Sequence, residues 1–141
     1  LFLTSNFQDA SDNQGNASNF QSANAGYSFA LGKLVQLNTA MSFNQSESSG
    51  FTNMTYGPVI GASRPFFKNK VRSNLSLSLL NSHLNGELES NINNVRWSAN
   101  YQPGKKHAIS LNTFYIYKVS KGEDGQTIQE IRVTLNYSFR I

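Results

Sequence analysis

The sequence predicts an all-β chain of antiparallel, up-and-down strands forming a transmembrane β-barrel, with about eight strands here as part of a larger barrel. Three observations point there. Apolar and polar residues alternate with a period of two along nearly the whole chain. The alternating runs reach about 10 to 14 residues, beyond the ~5–6 of soluble strands and near the ~9–11 that cross a bilayer at a tilt. Polar connections join the runs in one unbroken series of hairpins, and no 3.6-residue pattern specifies a helix.

Taken in chain order, the first run sets Leu1, Leu3 and Phe7 against Thr4, Asn6 and Gln8. The second sets Ala23, Ala25, Tyr27 and Phe29 against Ser22, Asn24, Gly26 and Ser28. In the third, Val35, Leu37, Thr39, Met41 and Phe43 alternate with Gln36, Asn38, Ala40, Ser42 and Asn44. The fourth, residues 53 to 64, puts Met54, Tyr56, Ile60 and Ala62 on one face. Pro58 interrupts it, and a proline removes a ladder donor, so an irregularity is expected there. Fifth comes Val71, Leu75, Leu77 and Leu79 against Arg72, Asn74, Ser76 and Ser78. Val95, Trp97, Ala99 and Tyr101 against Arg96, Ser98, Asn100 and Gln102 make the sixth. The seventh alternates Ile109, Leu111, Thr113, Tyr115 and Tyr117 with Ala108, Ser110 and Asn112, less cleanly at Phe114 and Ile116. The last is the clearest: Ile131, Val133, Leu135, Tyr137, Phe139 and Ile141 against Glu130, Arg132, Thr134, Asn136, Ser138 and Arg140.

The connections sort into two kinds in strict turn. Residues 9–18, 45–52, 81–91 and 119–126 are expected as long polar loops; those around 31–33, 65–70 and 103–106 as short turns. Outer-membrane barrels have that layout, with longer loops outside and short turns on the periplasmic side. Charge follows the division. Asp9, Asp12, Glu47, Glu87, Glu89, Glu123 and Asp124 fall in or beside the long loops, whereas Lys33, Arg64, Lys68, Lys70, Arg72, Lys105, Lys106 and Arg140 fall at the short-turn ends. Tyr and Phe gather near both ends of the runs, as membrane interfaces favour.

Composition agrees. Hydrophobic residues are 38% and charged residues only 14%, while aromatics reach 12% and Asn plus Ser supply about a quarter. Mean hydropathy is -0.42. That combination suits a sheet apolar on one face and neutral-polar on the other, rather than a disordered chain, which is poor in aromatics. No cysteine is present, which excludes a disulfide framework and a thiolate metal site. No apolar run approaches the ~20 residues of a membrane helix. A soluble β-sandwich also alternates, and the Asn/Gln content allows a fibrous β protein; both are the alternatives. Leu1 already lies within a strand-like pattern, and the residues expected to face inward (Ser22, Gly26, Ser28, Ala40, Ser42, Ser76, Ser78, Ser98) are small. Eight strands closed on themselves must fill their interior with side chains. The expectation is therefore one region, 1–141, forming the C-terminal part of a longer barrel chain.

Three stretches carry a family resemblance: Tyr56-Gly57-Pro58 through Arg64-Pro65-Phe66-Phe67-Lys68, the turn Tyr101-Gln102-Pro103-Gly104-Lys105-Lys106-His107, and the terminal Leu135-Asn136-Tyr137-Ser138-Phe139-Arg140-Ile141. The chain resembles C-terminal barrel segments of outer-membrane proteins from the Bacteroidota. The resemblance implies a Gram-negative cell outer membrane, with outer-membrane lipid and lipopolysaccharide as surroundings and other outer-membrane proteins or lipoproteins as neighbours. It also implies that Tyr137, Phe139 and Ile141 form the signal read by the barrel-assembly machinery. The final residue here is Ile141, where many such proteins end in Phe.

Chemistry is sparse. His83, expected in a long loop, and His107, expected at a short turn, lie at opposite ends and cannot share a site, and no Gly-x-Ser-x-Gly occurs. No enzymatic activity, cofactor or metal site is expected; Asp9, Asp12, Glu123 and Asp124 read as solvated acidic loops, with loose calcium attraction the lesser alternative. The charges expected to face the lumen are Arg72, Arg96, Glu130 and Arg132, with Glu130 and Arg132 spaced for an ion pair and Arg72 and Arg96 suited to an anion preference. Packing against a plug is an equal alternative. The basic turns are too short and few for nucleic acid. Two function classes stay open: a transport channel or receptor barrel, and a structural or assembly barrel that anchors partner proteins.

Overall fold

The computed structural model describes residues 1–11, 17–32, 34–48, 50–104, 106–121 and 125–139. Among them run eight strands: β1 (Phe2–Ser11), β2 (Ala17–Leu31), β3 (Val35–Ser48), β4 (Phe51–Phe66), β5 (Val71–Leu84), β6 (Glu87–Tyr101), β7 (His107–Ser120) and β8 (Thr127–Phe139). They form one antiparallel sheet in the order β1-β2-β3-β4-β5-β6-β7-β8, each strand paired with its neighbours in sequence. No helix occurs among the described residues. The sheet is open: β1 and β8 are its two edges and do not pair with each other.

Register follows the alternation. Opposed residues share a face, so the row Phe29, Leu37, Ala62, Leu75, Trp97, Thr113, Val133 runs across seven strands on one face. Its counterpart Ser28, Asn38, Gly61, Ser76, Arg96, Phe114, Arg132 runs on the other. A slip by one residue would exchange the two sets.

The long loops expected at 45–52 and 81–91 are not loops. β3 and β4 are joined by residues 49 and 50 alone, and β5 and β6 by Asn85 and Gly86 alone. Residues 45–48 and 81–84 continue the ladder, opposite 51–54 and 87–91. These stretches are polar on both faces, so they lack the alternation that marks a strand, yet their backbones still pair. The turn is tight: Asn85 and Gly86 take φ of 52° and 89°, the left-handed pair that a two-residue hairpin of right-handed twist requires. Asn85 then ties this hairpin to its neighbour. Its amide donates to the Thr52 carbonyl at 2.8 Å, and its side-chain oxygen accepts from the Thr52 amide at 2.9 Å.

The irregularity expected near Pro58 is present on one side only. Met41 pairs with Pro58 across β3, but the β4–β5 ladder skips from Tyr56–Asn81 to Val59–Ser78. Gly57 explains it: a Cβ there would collide with the Leu79 carbonyl oxygen, so the two backbones approach more closely than any side chain permits. A second irregularity, a bulge between Ser82 and His83, leaves Glu89 as the extra residue on β6.

We expect Gly57→Ala to lower folding stability by about 1–3 kcal/mol. Gly104→Ala, where nothing lies within 4 Å of the added Cβ, should stay within about 0.5 kcal/mol. Urea titration of the two refolded variants checks both.

Candidate functional site: the concave polar face

Among the described residues no hydrophobic side chain is buried. Along β5, Leu75 and Leu79 are 50% and 43% exposed, while the intervening Ser76 and Ser78 are half-buried. Ser82 and Ser90 are the buried polar residues, at 5% and 0%. Hollows open on the polar face, lined in part by Ser28, Ser63 and Arg72, by Arg72 and Asn100, and by Ser76 and Arg96, as happens where a sheet curls toward that side. The polar face is therefore the concave one, and the apolar face is convex and bare.

The convex face carries Leu3, Tyr27, Met41, Ile60, Leu75, Leu77, Leu79, Trp97, Ile131, Val133 and Leu135, all exposed. Some of its polar groups are held by near neighbours. The Trp97 indole N–H donates to Ser73 Oγ at 2.9 Å, and Arg64 lies over the Phe66 ring at 5.0 Å. At the turn end, His107 is not in the turn as expected but opens β7. Its Nδ1 sits 2.8 Å from the Tyr137 hydroxyl, its ring stacks on Tyr137, and it meets the Phe139 ring at a 45° tilt, 5.1 Å between centroids. His83 likewise is no loop residue: it lies in β5, stacked on Tyr56 with ring centroids 5.3 Å apart. The two histidines occupy opposite ends of the sheet, far from one another.

The register brings the four expected charges onto the concave face. Arg96 and Arg132 stand on either side of Phe114 in one row; Glu130 stands in the next row, opposite Ile116. Arg132 Nη2 donates to Glu130 Oε1 at 2.9 Å. The Arg96 guanidinium rests on the Phe114 ring at 5.4 Å. Arg72 lies two rows beyond, between Pro65 and Asn100, and borders two hollows near the turns of about 500 and 340 Å³. A third hollow, of about 310 Å³, lies mid-face against Arg96 and Phe114. Tyr137 and Phe139 point to the convex face with His107. Ile141 lies outside the described residues, as do Asp12, Lys33, Lys105, Glu123, Asp124 and Arg140.

Charge keeps its sorting among the described residues. Arg64, Lys68, Lys70, Arg72 and Lys106 are at the end with turns 67–70 and 102–106, and Asp9, Glu47, Glu87 and Glu89 are toward the other, which also holds Lys118 and Lys121. No three His, Cys, Asp or Glu side chains among the described residues gather around one point.

Sequence reasoning missed one grouping. Val59, Leu80, Ile92, Phe114 and Ile116 break the alternation singly, yet the register places all five on the concave face in adjoining rows. The signal was available in the irregular alternation at Phe114 and Ile116. Only pairing shows that the exceptions converge.

No family model matches the chain, and neither a curated protein nor a solved structure shows detectable similarity to it.

Because Arg132 and Glu130 are 69% and 47% exposed, Glu130→Gln should change stability by less than about 1 kcal/mol. A loss of several kcal/mol in a denaturant titration would place the pair in a buried, water-poor setting instead.

Proposed function

We propose that the chain is membrane-spanning wall of an outer-membrane β-barrel, in a transport channel or receptor. Its convex face meets hydrocarbon and its concave face meets water. One observation carries this reading: the large apolar side chains lie bare on the convex face, with no hydrophobic core among the described residues. In water such a sheet would leave its apolar surface uncovered. Hydrocarbon covers it at no cost, and a contiguous apolar face of this size marks an interaction with a partner or a membrane.

The dimensions support it. On β5 the apolar run from Val71 to Leu79 covers eight residue intervals, about 26 Å along the strand. Tilted as in membrane barrels, that is roughly 20 Å of height, close to the ~25 Å apolar band of such walls. Beyond it, Asn81, Asn91 and Gln45 continue the ladder as polar extensions. In lipid an unpaired backbone edge is costly, so β1 and β8 would each need a further strand to close the wall. The absence of long apolar helices says nothing against this, since barrels cross with strands. The surrounding partners on this reading are outer-membrane lipid, lipopolysaccharide and the barrel-assembly machinery, with Tyr137 and Phe139 as the described part of its signal. Arg72, Arg96 and Arg132 outnumber Glu130 among the proposed lumen charges, which favours anions.

Leu77→Arg, mid-band on the convex face, should cost about 2–4 kcal/mol when folding is measured in lipid vesicles. Ser78→Arg, facing water, should cost little. Equal tolerance of both would sink the lipid-facing reading. In planar bilayers the intact protein should conduct with a preference for anions that Arg72→Gln with Arg96→Gln reduces; a folded protein that leaves the bilayer sealed would instead support the anchoring barrel.

A further inference from the structure

We propose that the mid-face hollow beside Arg96 is a solute-binding subsite for small carboxylates that carry an apolar body and a hydrogen-bond donor. The proposal rests on the reading of the concave face as a wet lumen wall, and it assigns that wall a particular ligand chemistry.

The hollow, of about 310 Å³, is bordered by Ser76, Ser78, Asn94, Arg96, Leu80 and Phe114, with Val59 and Ser42 completing it. Its volume matches the lower end of small-molecule sites, which are mainly apolar with a few directed polar groups. Three features give it a built character. Val59, Leu80 and Phe114 supply apolar surface on a face that is mostly small and polar. Arg96 lines the hollow with its guanidinium against the Phe114 ring and is in no ion pair among the described residues, which leaves its charge for a ligand. Asn94, two residues along the same strand and on the same face, has its side-chain oxygen buried without a hydrogen-bond donor. A buried acceptor left unpaired is costly and calls for a partner.

The ligand follows from these groups. A planar guanidinium pairs with a carboxylate through two parallel N–H donors. The apolar floor accepts a ring or short hydrocarbon. Asn94 lines the hollow, and a turn of its amide presents the orphaned oxygen to a hydroxyl or amine hydrogen at the far end of the same molecule. Neighbouring Ser76 and Ser78 hydroxyls can turn to donate or accept. Arg72 borders separate hollows at the turns, away from Val59, Leu80, Phe114 and Asn94.

The test uses the full chain in nanodiscs, titrated with 4-hydroxybenzoate and followed by ligand-observed NMR. Benzoate lacks the donor and 4-hydroxybenzamide lacks the charge, so both should bind more weakly. Arg96→Gln should weaken 4-hydroxybenzoate roughly tenfold or more, whereas Arg72→Gln, which removes the same charge elsewhere on the face, should leave it nearly unchanged. Asn94→Leu should abolish the preference for 4-hydroxybenzoate over benzoate. Undiminished binding by Arg96→Gln, or an equal loss with Arg72→Gln, would overturn the site. The fluorescence of Trp97, the single tryptophan, reports on the underlying reading in the same nanodiscs. If brominated lipid chains quench it and no ligand binds, only the subsite fails; if they leave it unquenched, the membrane wall itself fails.

Discussion

Each strand of this sheet satisfies its backbone N–H and C=O groups only through the strand before it and the strand after it in sequence. Every other property descends from that ladder. Consecutive antiparallel pairing locks the register, and the register decides which side chains share a face. In an apolar medium, where water cannot substitute for a missing partner, the ladder becomes obligatory rather than merely favourable. The two interruptions have local causes: a close approach at Gly57 beside Pro58, and a bulge at Ser82–His83.

With the ladder in place, the unusual partition of polarity becomes intelligible. A soluble sheet buries its apolar face and wets its polar one. Here the serines of β5 are more shielded than its leucines, and the small inward residues let the sheet curl toward them. Ser28, Gly61, Ser76 and Ser98 leave room where larger side chains would pack and flatten the curve. The three hollows border that concave side for the most part. Larger apolar residues gather on it around Val59, Leu80, Ile92, Phe114 and Ile116, beside Arg96, which is why a discrete subsite can exist there.

Much of this was legible in the residues. Strict alternation in Ile131–Phe139 and in Leu75–Leu79 is a period-two signal that no helix can imitate, and it assigns faces without coordinates. The Glu130–Arg132 pair followed from the same parity. The strand ends were not legible in that way. Gln45–Ser48 and Asn81–Leu84 are polar or mixed on both faces, so side-chain pattern falls silent while backbone pairing continues to the Asn85-Gly86 turn. His83 and His107 were misplaced for the same reason: each sits at a strand end, held by an aromatic (Tyr56 or Tyr137) that is distant in sequence. The Val59–Leu80–Arg96–Phe114 grouping spans four strands and needed three registers at once, information that no single run contains.

The central claim is that the two faces meet different media, lipid on the convex side and water on the concave side. Because the chain has no cysteine, single cysteines can be placed at each position from 74 to 79 in the lipid-reconstituted protein and challenged with a membrane-impermeant maleimide. The account predicts rapid labelling at 74, 76 and 78 and protection at 75, 77 and 79, a period of two in phase with β5. Equal labelling at all six positions, or protection of 76 and 78 with labelling of 75 and 77, would contradict it.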